Sequence, residues 1–548
     1  MSNAETARAN AETARATTET ARPNAGTARA NARTARPNGE TAQPYDEAAR
    51  LLARHDQVAE AVTAGPVAYV VPGTRAGTAH AEKQVDEWQE LYDRLYAGSA
   101  DAAFGDDFVG WNSSYDRRPI PLEEMRQWQD TTVRRIRELR PRRILEIGAG
   151  SGLLLAPLLD DCEEYWATDL SQVAVDELAR HLAADPARAA RVHLRAQGAD
   201  RTDGLPTGHF DTVVLNSVAQ LFPGAAYLDT VIRQVLTLLA PGGAFFLGDI
   251  RDLRTRDHLH TAVVLGRGTA TGCDAVRRAV GKAQAREEEL LVHPDYFTSL
   301  ARTEPGVAGV DVQLKRGGYH NELSRHRYDV VLRKAPASHL TDLTDCPRLA
   351  WGAPGVQSTA ALEEHLSGLT PPLRITGIPN SRLTGEAAAL RAVTAGGPDA
   401  VTVGRRRLTA TDEAAVDPHQ LTALAARHGL DAHLAPAPDR PEYFEAVLVR
   451  PGTDISGSYR HSGESGPLTV VPAAAHRADT LVTQLHAWLR ARLPEHALPE
   501  RIVAVDALPD TARQEPVRLP DTAPQKSVPA RTAAAARPHS PLAEEGAA

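Results

Sequence analysis

The sequence predicts an α/β fold, a mostly parallel sheet of seven strands with helices on both faces, joined to a second and smaller α/β region. Three observations carry this. Short apolar runs alternate with helical segments from 143 to 333, a glycine-rich turn follows the first run, and an acid ends the second. The runs are 143–147, 164–168, 191–196, 211–216, 244–249, 309–314 and 327–333. Strands buried on both faces read as near-continuous apolar stretches. The last two runs have the alternating pattern of a hairpin.

The other elements follow in order. From Asn3 to Pro44 six seven-residue units repeat without a gap. Alanine is their only apolar residue, and Pro23, Pro37 and Pro44 recur, so no coiled-coil seam exists. Such a segment buries too little apolar surface to offset chain entropy, which predicts a disordered tail over 1–44. Tyr45 to about Pro72 reads as one amphipathic helix and one strand, Val67–Pro72. Residues 84–140 read as mostly helical, with Val85, Trp88, Leu91 and Tyr92 at helical spacing. Residues 340–470 form the second region, with strands near 373–378 and 444–450. A helix and short strand follow over 478–508, then a second disordered tail over 516–548.

At 548 residues the chain is too long for one core. Its net charge of −9 offers no basic surface to nucleic acid. Cys162, Cys273 and Cys346 are too dispersed for a disulfide framework or a zinc site. His258 and His260, two apart on a helix, point to different faces, so no metal is expected. No apolar run has membrane-spanning length, and no leader-like segment opens the chain. A cytoplasmic protein is expected.

The glycine turn, Arg143-Ile-Leu-Glu-Ile-Gly-Ala-Gly-Ser-Gly152, carries the first chemistry. Gly148, Gly150 and Gly152 let the backbone turn sharply and approach a ligand. Asp169 ends the second strand, where an acid accepts both hydroxyls of a ribose. A dinucleotide turn has G-x-G-x-x-G spacing; here it is G-x-G-x-G, preceded by Glu146. A carboxylate there repels a diphosphate and suits an ammonium and a sulfonium. The cofactor expected is S-adenosyl-L-methionine.

Residues 84 to about 450 resemble the N-methyltransferase domains embedded in nonribosomal peptide synthetases. The matching stretches include Phe108-Val-Gly-Trp-Asn-Ser-Ser-Tyr115, Val214-Leu-Asn-Ser-Val-Ala-Gln-Leu-Phe-Pro223, Glu289-Leu-Leu-Val-His-Pro-Asp-Tyr-Phe297, Asn321-Glu-Leu-Ser-Arg-His-Arg-Tyr-Asp329 and Ile375-Thr-Gly-Ile-Pro-Asn-Ser-Arg382. The resemblance implies a class I methyltransferase domain over 84–336, Rossmann-like, with its last strand antiparallel, and an accessory region over 340–470. It implies methylation of the amino group of an amino acid or carrier-bound intermediate, in natural-product biosynthesis. Residues 45–80 and 478–515 resemble the two ends of an adenylation domain's small C-terminal subdomain. Aligned to that family, Glu515 stands at the adenylating lysine, which implies no activation of amino acids.

Site expectations follow. Glu146, Gly148, Gly150, Gly152 and Asp169 contact the cofactor, Glu146 through the turn amides or the methionyl ammonium. Asp200 approaches the adenine amine. Asn216 and Ser217, ending the fourth strand, face the methyl group and the acceptor amine. Trp111, Asn112 and Tyr115 form a lid, with Tyr115 also a catalytic candidate. Glu322 and His320 are acid–base candidates and His293 a weaker one. Of Asp249 and Arg251, one faces the substrate and the other sits in an ion pair. Methylation of oxygen or carbon on another metabolite, or a non-catalytic interaction role, are the alternatives.

Overall fold

The computed structural model describes residues 45–97, 103–505 and 508, apart from single positions 269, 367, 411, 464, 471 and 473. The repeat over 1–44, the tail over 516–548 and Glu515 lie outside the described residues.

The chain enters through α1 (Asp46–Leu52), β1 (Val58–Ala64) and β2 (Val67–Pro72). Strand β1 corrects the expected helix-and-strand pair: Gly65, at φ 60°, and Pro66 close a two-residue hairpin in which Ala64 faces Val67. A turn this tight joins antiparallel strands, and the hairpin overrides the helical spacing. Next come α2 (Thr74–Tyr96) and α3 (Leu122–Glu138).

The central sheet comprises β3 (Arg143–Ile147), β4 (Glu164–Asp169), β5 (Val192–Ala196), β6 (Phe210–Asn216), β7 (Leu239–Arg251), β8 (Val307–Leu314) and β9 (Arg327–Lys334). Their order is β5-β4-β3-β6-β7-β9-β8, with β9 antiparallel to both neighbours. This is the class I methyltransferase sheet. Side-chain alternation splits the core. Val213, Leu215 and Phe245 meet Leu228, Val231 and Val235 of the helix Ala225–Leu238 on one face. Val214 and Phe246 meet Val133 and Ile136 of α3, with Leu178 and Leu182 of the helix Gln172–Leu182, on the other. β3 and β6 run parallel, and the order of strand addition reverses between them, which leaves a crevice at their carboxyl ends.

A second sheet holds β10 (Arg348–Ala350), β11 (Leu373–Pro379), β12 (Asp431–Pro436) and β13 (Tyr443–Val449), in the order β10-β11-β13-β12. Arg382, buried just after β11, donates to the carbonyls of Lys315 (2.7 Å) and Gly317 (2.6 Å). The loop between β8 and β9 is therefore tied to the second region.

The chain ends in the helix Ala474–Arg490 and β14 (Arg501–Ala504). Strand β14 pairs in parallel with β2, Arg501 opposite Val67. Leu481, Leu485 and Leu489, spaced four apart on one helix face, pack on Leu52, Val70 and Ile502. The two ends of the described chain thus close one small unit. Helix α2 leads away from it and packs against the helix Gln172–Leu182.

Candidate active site

The turn after β3 has the backbone that only glycine adopts readily: φ is 80° at Gly148, 52° at Gly150 and 82° at Gly152. Space is equally restrictive. A Cβ on Gly148 lies 2.3 Å from Cγ2 of Val218, and one on Gly150 lies 2.8 Å from the Tyr96 hydroxyl. Asp169 braces this turn. Its Oδ2 accepts from the Gly150 amide at 2.8 Å and its Oδ1 from the Ser171 amide at 2.9 Å. Burial raises the Asp169 pKa against the pull of those amides.

Glu146 sits beneath the turn, almost fully buried, and accepts from the Tyr165 hydroxyl at 2.7 Å. Burial pushes its pKa up to about 8. A cation in the cleft favours its ionised form. The cleft is walled by this turn, by Asp169-Leu170, by Gln197-Gly-Ala199 and by Asn216-Ser-Val218. A cradle that a Cβ fills, an acid at the strand tip and a buried carboxyl that a cation ionises fit an adenosyl group carrying ammonium and sulfonium charges. Asp200 stands apart from the lining residues, and its Oδ1 accepts from the Tyr227 hydroxyl at 2.8 Å. The strand end presents Gln197 to Ala199 instead.

Asn216 ends β6 at the bottom of the cleft, and a Cβ on Gly248 of β7 collides with its Oδ1 at 1.9 Å. Ser217, at φ 58°, donates its hydroxyl to Asp249. The Trp128 indole donates to the same carboxylate at 2.8 Å. Burial opposes the charge on Asp249, but Lys315 (2.7 Å) and Arg327 outweigh it and hold the carboxyl below its usual range. Trp128 packs at 4.9 Å against Trp111, the rings tilted by 48°, so a buried ion pair fixes one aromatic wall of the cleft. Arg251 bonds Glu287 at 2.8 Å and Glu289 at 2.9 Å. Asp249 and Arg251 both lie in ion pairs, and neither lines the cleft.

Several candidates lie elsewhere. The Tyr115 hydroxyl donates to Glu386 at 2.6 Å and meets His326 at 3.1 Å, away from the cleft. Glu322 accepts from the Ser114 amide at 2.5 Å and the Ser113 hydroxyl at 3.2 Å, locking one loop to another. His320 faces Asp417 at 3.3 Å, in a separate polar cavity shared with Arg325 and Arg382. His293 caps the helix Pro294–Thr303 by accepting from the Asp295 amide at 3.0 Å. The reason is common to Tyr115, His320 and Glu322. The loops holding them are drawn onto the second region or onto each other, not over the cofactor turn. His260 meets Glu287 at 3.3 Å. No cluster of three or more His, Cys, Asp or Glu placed to hold a metal occurs among the described residues.

Of the expected lid, Trp111 lines the cleft while Asn112 and Tyr115 do not, and the other aromatic residues come from a different element. Trp88, Tyr92 and Tyr96 of α2 line the cleft, with ring centroids 6.2 Å apart for the first pair and 5.8 Å for the second. Their i, i+4, i+8 spacing was the available signal. Glu289 also lines the cleft, buried, with Oε1 lacking a hydrogen-bond partner. It opens the Glu289–Phe297 stretch that carries the resemblance, but nothing in that stretch marks it as a cleft residue.

Comparisons with known proteins agree with this geometry. Residues 145–245 match a family described as "Methyltransferase domain". A probable non-canonical nonribosomal peptide synthetase, CymA, of Salinispora arenicola is 39% identical over 81% of this chain. Chondramide synthase of Chondromyces crocatus is 32% identical over 81%. The chain spans only 5% and 12% of the lengths of these two relatives. A phosphoethanolamine N-methyltransferase of Haemonchus contortus, solved with S-adenosylhomocysteine, is 11% identical over 47% of this chain and 50% of its own, with a TM-score of 0.32. The topology above, not that likeness, fixes the fold. Over most of its length the chain is thus similar to regions of nonribosomal peptide synthetases; it carries a methyltransferase domain, and its cofactor is S-adenosylmethionine.

Proposed function

We propose that the chain methylates the amino nitrogen of an amino acid, or of a carrier-bound aminoacyl or peptidyl group, during nonribosomal peptide or related biosynthesis. One observation carries the choice of nitrogen. Asn216 Oδ1, Gln220 Oε1 and Glu289 Oε1 are buried acceptors without a hydrogen-bond partner, and all three residues line the cleft. Buried acceptors left unpaired are costly. An amine brings two or three N–H donors to meet them, whereas an alcohol brings one.

Bound cofactor supplies an electrophilic methyl group on a positively charged sulfur. The protein's part is alignment and dryness. Asp169 and the glycine turn fix one end of the ligand, and Glu146 offers a carboxylate to its charge. Trp88, Tyr92, Tyr96 and Trp111 exclude water above the strand ends. Asn216 and Ser217, braced by Asp249, set where the acceptor nitrogen lies. In-line placement and water exclusion account for much of the acceleration in such a transfer.

The terminal unit is read as the two ends of an adenylation-type C-terminal subdomain, 45–80 and 478–515, a reading supported by the pairing of Arg501 with Val67. A small acceptor and a cytoplasmic setting suit the net charge of −9; neither a nucleic-acid nor a membrane partner is proposed. No described helix is long and apolar enough to cross a membrane. The test is incubation with labelled S-adenosylmethionine and a panel of amino acids, their thioesters, alcohols and phenols, read by mass spectrometry. N-methyl products support the reading, and label only on oxygen or carbon overturns it.

A further inference from the structure

Four acids line the cleft among the described residues: Asp107, Glu146, Asp169 and Glu289. Three are engaged on the cofactor side or in the backbone. Asp107 accepts from the Val109 amide, Glu146 from Tyr165, and Asp169 from two amides of the turn region. Glu289 differs. It is 1% exposed, it spends Oε2 on Arg251, and its Oε1 has no hydrogen-bond partner. Arg251 shares the same Nη1 with Glu287, at 2.8 Å, so the Glu289 carboxylate is held in a buried ion-pair cluster rather than mobile.

Its position follows from the backbone. The Leu290 amide donates to the Gln220 carbonyl at 2.7 Å, and the Gln220 side chain donates to the Ser217 carbonyl at 2.6 Å. Glu289 is thereby stitched to the turn at the end of β6, where the acceptor nitrogen belongs. Tyr92, on the lid helix, feels its charge. A buried, oriented carboxylate with one oxygen unspent, beside Asn216 and Gln220, complements an ammonium.

We infer that Glu289 binds the acceptor's ammonium and takes one proton from it. The inference rests on the reading of the chain as an N-methyltransferase. The acceptor enters as R–NH3+, and one N–H proton passes to Oε1, leaving R–NH2 beside neutral Glu289. The nitrogen lone pair then forms the N–C bond to the methyl group as the C–S bond breaks, and that electron pair stays on sulfur. The products are R–NH2+–CH3, a neutral thioether and protonated Glu289, whose proton leaves to water on product release. Total charge is the same before and after.

The test uses the full chain and the amino acid or thioester it methylates best. Calorimetry measures S-adenosylhomocysteine binding, then amine binding to the loaded protein. Glu289→Gln is expected to leave S-adenosylhomocysteine affinity unchanged and to weaken amine binding about tenfold or more, the size of a lost charge-assisted hydrogen bond. Its turnover is lost at neutral pH and partly regained as pH rises past the acceptor's own ammonium pKa. Glu287→Gln removes the same charge from the same guanidinium but does not line the cleft, and amine binding is expected to persist. Should Glu289→Gln not fold, Glu289→Asp, which withdraws the carboxylate by one methylene, carries the same comparison. Equal loss in the Glu287 and Glu289 variants, a loss confined to cofactor affinity, or wild-type amine binding with a wild-type pH profile each overturns the assignment. If the unaltered chain methylates only oxygen or carbon, the N-methyltransferase reading falls first and this role with it.

Discussion

The Gly150 amide donates to Oδ2 of Asp169 at 2.8 Å, so the acid ending β4 props up the turn ending β3. One carboxylate therefore does two jobs. Each of its oxygens accepts one protein amide, and each keeps a further lone pair for a ligand hydroxyl. On the proposed assignment of Asp169 to the ribose, recognition of that sugar and the shape of the glycine turn are coupled through this contact.

Replacing Asp169 with alanine is therefore expected to weaken cofactor binding by more than the ribose bonds alone. Charge-assisted hydrogen bonds contribute roughly 1.5–3 kcal/mol each. Asp169→Asn keeps one acceptor oxygen and is expected to lie between wild type and alanine. Calorimetry with S-adenosylhomocysteine checks both, and an Asp169→Ala affinity equal to wild type refutes the coupling.

Gly148→Ala tests the turn from the other strand. The new Cβ faces two separate penalties, a positive φ of 80° and a 2.3 Å approach to Val218. The backbone alone costs about 1–2 kcal/mol. Adding Val218→Ala removes the collision and leaves the backbone strain, so the double variant is expected to recover only part of the lost stability. Urea titration measures this. Full recovery means φ is not the constraint.

Much of the fold was legible because it is written in local runs. The strand expected at 143–147 is the strand observed, and the others differ mainly at their ends. Strand β7 extends to Leu239–Arg251, beyond the expected 244–249, because its edges are set by pairing with β6 and β9 rather than by its own apolar run. The cofactor turn was legible for the same reason, since Glu146 to Gly152 and Asp169 are short-range signals. Tyr115 and Glu322 were not. Their partners, Glu386 and Ser114, are 271 and 208 residues away in sequence. Glu289 is the converse case, an ordinary acid before an apolar run, given its place only by Arg251 and the Gln220 carbonyl.

Glu146 gives the stability a pH dependence with a definite sign. Its pKa rises from an ordinary 4.5 to about 8 on folding, because burial disfavours the charge. Below about 4.5 both folded and unfolded chains hold the proton. Between 4.5 and 8 the unfolded chain releases it while the folded chain keeps it, so stability falls as pH rises through that window and levels off above it. Glu146→Gln cannot ionise. Relative to wild type it is expected to gain stability from pH 5 to pH 8, by on the order of a few kcal/mol. Cofactor affinity moves the other way. A cationic ligand prefers the ionised carboxyl, so wild-type affinity is expected to rise with pH up to about 8, and that of the variant to stay flat. Parallel affinity curves for the two proteins mean Glu146 does not meet the cofactor's charge.

Lys315 supplies the last test, because it joins the buried charges to the proposed acceptor side of the cleft. Its ammonium lies 2.7 Å from Asp249 and 2.9 Å from Asp329, and all three side chains are almost fully buried. Arg135, at 3.3 Å from Asp329, compensates that acid from a second direction. Asp249 in turn receives the Trp128 indole and the Ser217 hydroxyl. Lys315→Met fills a similar volume without charge and leaves the Asp249 carboxylate buried without its closest cation. Breaking a buried pair from one side costs about 3–5 kcal/mol. Adding Asp249→Asn removes the stranded charge while keeping an acceptor for Trp128, so the double variant is expected to be more stable than Lys315→Met alone. Urea titrations of the two single variants and the double variant measure the coupling. The site readout is separate. Trp128 and Ser217 stand where the acceptor is proposed to bind, so Lys315→Met, in the folded fraction, is expected to raise KM for the amine more than it changes S-adenosylhomocysteine affinity. Equal losses at both ligands mean that Lys315 supports the domain as a whole and does not position the acceptor wall.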